Sequence, residues 1–180
     1  MLAGIFVGGA ARRMNGVAKG LLDAGRGETI VARLARIARE NKLEIVLVGA
    51  GAAYDALALE RLTDAREGAG PLAGLVALLE AAKGGDVVVL ACDMPAIAPS
   101  VIEKLAGGRA GVTIAPKRDG RWEPLCARYA ASVRIEATER LARGALAMHA
   151  LLDAVNAEVL PLDDAERATL LDWDSPEDVG

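Results

Sequence analysis

Residues 8–20, GGAARRMNGVAKG, set two adjacent glycines, Gly8 and Gly9, ahead of three cations, Arg12, Arg13 and Lys19. Without a Cβ in the way, consecutive backbone N–H groups can close around an anion. Arginine adds a planar fork that matches phosphate oxygens, and lysine adds a mobile point charge. Together these groups suit a polyphosphate. The spacing is not that of a P-loop, because Lys19 is followed by Gly20, and it is not G-x-G-x-x-G either. On chemistry alone, a phosphate site and a plain solvated loop both stay open.

A polyphosphate site needs a countercharge, normally Mg²⁺ held by one or two carboxylates together with phosphate oxygens and water. Asp93 in ACDMP follows an apolar run, at the place where a parallel strand ends and ligands bind; a turn cap before Pro95 is the alternative. Asp64 follows a shorter extended stretch and is either a second site carboxylate or an ordinary turn acid. GPLAGL at 70–75 begins with Gly70 and reads as a turn leading into a helix N-terminus, whose exposed N–H groups also attract anions. His149 falls in a helical stretch and reads as a surface or packing residue. Cys92 and Cys126 are too few for a disulfide scaffold or a four-thiolate zinc site, and read as buried reduced thiols.

The elements that must position these residues follow from apolar periodicity. Strands are expected at 2–7, 43–48, 86–92, 112–115 and 158–162, with extended stretches at 62–63 and 125–129. Helices are expected at 28–41, 54–61, 75–83, 132–142 and 145–154, and at 101–106 behind Ser100 as N-cap. Residues 68–74 read as a glycine-rich turn and 117–121 as a charged turn; 165–171 has no assignment. Ser175 and Pro176 carry a helix-start signature. VVVLAC at 87–92 is apolar throughout, as a strand covered on both faces requires. Strands alternating with helices give an α/β domain with a doubly wound, mostly parallel sheet and helices on both faces. The segments 8–20, 68–74 and 93–95 all fall at strand carboxyl ends, where such sheets bind ligands.

With 180 residues, the chain has room for one domain with a substantial core. A net charge of -4 argues against a general nucleic-acid-binding surface but not against a local phosphate site. No run of about 20 apolar residues is present, so no membrane partner is expected. The apolar first nine residues lack a positive leader, and the expectation is a cytoplasmic protein without a signal peptide.

Taken together, the motifs resemble the molybdenum cofactor guanylyltransferases. The resemblance is carried by GGAARRMNGVAKGLL, GPLAGL at 70–75, ACDMP at 91–95, EPLCARY at 123–129 and SPED at 175–178, in order over essentially the whole chain. It implies one Rossmann-like nucleotidyltransferase domain over 1–180, with the nucleotide in the N-terminal half and the acceptor in the C-terminal half. The implied reaction is transfer of GMP from GTP to molybdenum-loaded molybdopterin, with release of pyrophosphate. Carried over, Phe6, Val7, Gly8 and Gly9 would contact the nucleotide through backbone, with Asp64 and Gly70 beside it. Lys19 and Arg13 would meet the phosphates, and Asp93 would hold Mg²⁺. Molybdoenzyme apoproteins or their chaperones would receive the product. Trp122 and Trp173 would either line a pterin site or pack in the core. Phe6-Val7 stands where the family usually has Leu-Ala, and Asp172 and Asp174 where many members have Asn. A cytidylyltransferase on the same pterin, another phosphorylated acceptor and a non-catalytic delivery protein are the rival readings.

Overall fold

In the computed structural model, residues 1–7, 18–25, 27–49, 52–66 and 68–171 are described. Within them the strands are β1 (Leu2–Phe6), β2 (Glu44–Val48), β3 (Glu60–Leu62), β4 (Val87–Ala91), β5 (Ile114–Ala115), β6 (Lys117–Arg118), β7 (Arg121–Trp122), β8 (Cys126–Tyr129) and β9 (Glu158–Val159). The helices are α1 (Ile30–Glu40), α2 (Pro71–Ala81), α3 (Pro99–Gly107), α4 (Val133–Ala142), α5 (Met148–Ala154) and α6 (Asp164–Ala168). The main sheet runs β3-β2-β1-β4-β8-β5-β9, and β6 pairs with β7 in a separate hairpin. Strands β1 to β4 are mutually parallel, and β8 is antiparallel to both of its neighbours. This is the mostly parallel, doubly wound α/β sheet that the apolar runs predict.

Side-chain alternation splits the core into two layers. Ala3, Ile5, Leu47, Val88 and Leu90 face α1 and α3, where Ile30, Leu34, Ile37, Val101 and Leu105 meet them. Phe6, Val46, Val48, Val87 and Val89 face the other way, onto Leu72, Leu75 and Leu78 of α2 and the α4–α5 pair. All five residues of β4 are buried, so the strand can lie only at the sheet centre.

Several boundaries differ from the sequence expectations for identifiable reasons. Helix α2 begins at Pro71 rather than 75, because proline at the first helical position has its φ already set and needs no donor. Similarly, α3 begins at Pro99 with Ala98 as N-cap, so Ser100 lies inside the first turn and does not cap. Its hydroxyl donates instead to Glu166 at 2.8 Å. Residues 52–57 form a 3₁₀ turn, and the expected helix over 54–61 breaks where Ala58 takes φ 49 and Glu60–Leu62 pairs with β2. The charged turn at 117–121 is a β-hairpin, closed by Asp119 and Gly120 with φ of 50 and 76, the backbone that an Asp-Gly pair favours. The 158–162 strand stops at Val159, two residues before Pro161. Part of the stretch 165–171, to which periodicity assigns nothing, belongs to α6, which opens with a full capping box between Asp163 and Glu166.

Helix α6 is tied to α3 through Glu166, which takes the Ser100 hydroxyl and the Lys104 ammonium, while Thr169 accepts from the Ala98 N–H at 3.0 Å. The Lys104 contact, then the Ser100 and Asp163 donors, hold the Glu166 carboxyl at about 2 against an ordinary 4.5. A lowered carboxylate pKa stabilises the fold above the unfolded value, and that contribution disappears as pH falls through the folded value. Urea midpoints for wild type and Glu166→Gln should therefore converge as pH drops from 4.5 towards 2, with wild type losing the difference.

Candidate active site

The four parallel strands end in register: Phe6 lies opposite Val48 and Ala91, and Val48 lies opposite Leu62. The residues just beyond each strand therefore stand in one row along the carboxyl edge of the sheet. Asp64 comes two residues after β3 and Asp93 two residues after β4, with Val7 between them after β1. At the usual spacing, three strand intervals separate the ends of the row by about 14 Å. An extended nucleoside triphosphate can lie along such a row.

One end of the row is built around Gly74. A Cβ at this helical position would stand 2.6 Å from Val48 Cγ1, 2.8 Å from Phe6 Cε1 and 3.2 Å from Asp64 Oδ1. Glycine is thus required for α2 to lie this close to β1 and β2. The expected turn over 68–74 includes Gly74, but Gly74 lies inside α2; its place in PLAGL directly after a helix-starting proline is the local signal for this. Half-buried Asp64 lies against this contact, and burial raises its carboxyl pKa. Gly70 is the exposed N-cap of α2.

The other end gathers Lys19 and Asp93 around Cys92. Lys19 opens a 3₁₀ turn, Lys19–Leu21, closed by Leu22 N–H donating to its carbonyl at 3.0 Å. Asp93 follows β4 and is half-buried, with its Oδ1 inaccessible to solvent. The Cys92 backbone N–H donates to the Phe6 carbonyl at 3.2 Å, and the Val7 N–H donates to the Val48 carbonyl at 3.0 Å, so the strand ends are braced to one another. The Cys92 thiol is pushed up to about 12, first by burial and then by the Asp93 charge, with Lys19 opposing. A thiol held neutral in the core is a packing group rather than a nucleophile.

Of the expected site residues, the described structure brings Phe6, Val7, Lys19, Asp64, Gly70 and Asp93 to the same sheet edge. Gly8, Gly9, Arg12 and Arg13 lie outside the described residues, as do Asp172, Trp173, Asp174 and 175–178. Trp122 is a core residue: it is 8% exposed, its indole N–H donates to Asp153 at 2.7 Å, and Lys117 covers its ring at 4.1 Å. That arrangement uses both the polar handle and a ring face within the protein and leaves no open platform for a pterin there. His149 is exposed on α5.

Residues 3–158 match the MobA-like NTP transferase domain. The chain belongs to this family. A probable molybdenum cofactor guanylyltransferase from Opitutus terrae is 36% identical over 98% of this chain and 92% of its own length. A molybdenum cofactor guanylyltransferase from Pseudomonas putida is 38% identical over 67% of this chain and 65% of its own. Among solved structures, molybdopterin-guanine dinucleotide biosynthesis protein A from Archaeoglobus fulgidus superposes with a TM-score of 0.77 at 27% identity, covering 99% of this chain and 95% of that one. The MobA-like match spans both halves of the main sheet and includes the Lys19 turn, Asp64, α2 and Asp93. Among the described residues of this MobA-like chain, no helix is long and apolar enough to cross a membrane.

Proposed function

We propose that the chain is a molybdenum cofactor guanylyltransferase: it transfers the GMP part of GTP to the terminal phosphate of molybdenum-loaded molybdopterin and releases pyrophosphate. The observation that carries this reading is the in-register row of strand ends, which sets Asp93 at one end and Asp64 at the other, with Lys19 near enough to Asp93 that both charges act on the Cys92 thiol. The base and ribose lie towards Asp64, Gly70 and the backbone of Phe6 to Gly9, and the triphosphate lies towards Lys19 and Arg13. An oxygen of the acceptor phosphate forms a bond to the α-phosphorus while the α–β anhydride bond breaks, and pyrophosphate leaves with the electron pair. The attacking phosphate is already anionic at neutral pH, so no general base is needed, and positioning and charge neutralisation supply the catalysis. This is consistent with a site whose thiol is neutral.

Asp93 suits Mg²⁺ as a hard oxygen donor. Among the described residues no group of three or more His, Cys, Asp or Glu side chains converges on one point. A lone carboxylate fits an ion that takes its remaining ligands from phosphates and water. Bound there, Mg²⁺ would offset negative charge on the α-phosphate and the departing pyrophosphate. The C-terminal half holds the pterin, and its β6–β7 hairpin springs from the carboxyl end of β5 on the same sheet edge. The reaction belongs in the cytoplasm, and molybdoenzyme apoproteins or their chaperones receive the product.

The test is pyrophosphate release by the purified protein with Mg²⁺, molybdopterin and either GTP or CTP. Release with GTP alone is expected. Release with CTP alone would overturn the base assignment, and release with neither would overturn the catalytic reading.

A further inference from the structure

Lys19 sits on a short turn, and a phosphate contact is effective only if that turn is held in place. The structure supplies the holding group from a distant part of the chain. Tyr54, in the 3₁₀ turn Ala52–Leu57, is 4% exposed, and its hydroxyl accepts a hydrogen bond from the buried Gly20 N–H at 3.2 Å. The fit is close on all sides. A Cβ on Gly20 would stand 2.5 Å from Val31 Cγ2, 3.0 Å from Tyr54 Cε1 and 3.1 Å from the Tyr54 hydroxyl. The same hydroxyl faces the Cys92 thiol, one residue before Asp93. A single phenol thus joins the Lys19–Gly20 turn to the end of β4.

We infer that Tyr54 is a positioning residue: its hydroxyl, by accepting from Gly20 N–H, sets the height of Lys19 beside Asp93. The inference rests on the proposed phosphate role of Lys19. Tyrosine suits this place because its ring packs among Val31 and its neighbours as phenylalanine would, while the hydroxyl satisfies a buried donor that would otherwise be costly. Buried in apolar surroundings and beside the thiol, that hydroxyl has its pKa pushed up to about 12 and stays protonated through the physiological range. It can therefore accept from Gly20 and donate elsewhere at any working pH.

The test is a double-mutant cycle on pyrophosphate release with Tyr54→Phe, Lys19→Ala and the double variant, alongside the exchange rate of the Gly20 amide. Tyr54→Phe keeps the ring and is expected to fold. It should lower kcat roughly tenfold, the scale of orphaning one buried donor. In the Lys19→Ala background the same change should cost less than about twofold, since residues acting through one another are not additive. The Gly20 amide should exchange faster in Tyr54→Phe. Additive rate losses, a wild-type rate in Tyr54→Phe or an unchanged Gly20 amide would overturn the tyrosine's role alone. A wild-type rate in Lys19→Ala would overturn the lysine's role, and the tyrosine's along with it.

Discussion

Asp93→Ala lowers turnover at least ~10²-fold, the scale of removing one preorganised electrostatic contact from an active site. The loss should fall on kcat more than on KM, because charge on the departing pyrophosphate grows on the way to the transition state. Asp93→Asn preserves the shape of the side chain and removes only its charge, and a comparable loss is expected. Lys19→Ala removes the opposite charge from the same end of the site and should be similarly costly. Steady-state pyrophosphate release on variants with wild-type melting temperatures measures these losses. A rate within about threefold of wild type for Asp93→Asn would place the essential carboxylate elsewhere.

The parts of this site that were legible in the sequence are those governed by local rules. The ends of β1, β2 and β4 could be read because each closes on an apolar run, IFV, IVLV and VVVLAC, stopped by a glycine or an acid, as burial on both faces demands. The placement of Asp93 and of the Lys19 loop at the carboxyl edge was legible because each follows an apolar run, whereas a turn cap and a solvated loop were equally compatible with the residue types. Tyr54 was not legible in this way. Its partner Gly20 lies 34 residues away, and nothing in the sequence around 54 marks the ring as meeting another loop. The antiparallel direction of β8 was equally hidden, because periodicity shows that 125–129 is extended but not which way it runs in the sheet. Other features follow local rules that apolar periodicity does not register: the proline starts of α2 and α3, the Asp-Gly pair at 119–120 and the Asp-x-x-Glu box at 163–166.

Asp86→Ala should be the most damaging change to stability while leaving the chemistry intact. Asp86 precedes β4 at the amino end of the sheet, the opposite end from Asp93. Its carboxylate accepts from Arg128 at 2.7 Å and from the backbone N–H groups of Gly111 at 2.8 Å and Ala131 at 3.0 Å. Both side chains are nearly sequestered, with 5% of Arg128 and 11% of Asp86 exposed, and Arg128 also donates to the Gly108 carbonyl. Burial alone would raise the Asp86 carboxyl, but these donors hold it below its ordinary value. Removing the carboxylate strands a buried guanidinium and two backbone donors, and breaking such a pair costs about 3–5 kcal/mol. At roughly 2–4 °C per kcal/mol for a domain of this size, the melting temperature should fall by something on the order of 10 °C. Arg128→Met should cost less, because Asp86 keeps both of its backbone donors and an apolar chain of similar length fills the space. Thermal melts of the two variants give the ranking, and kcat measured well below both transitions should match wild type. A large loss of kcat in folded Asp86→Ala would mean that the two ends of β4 are coupled, since no side chain of this network reaches the Asp93 edge.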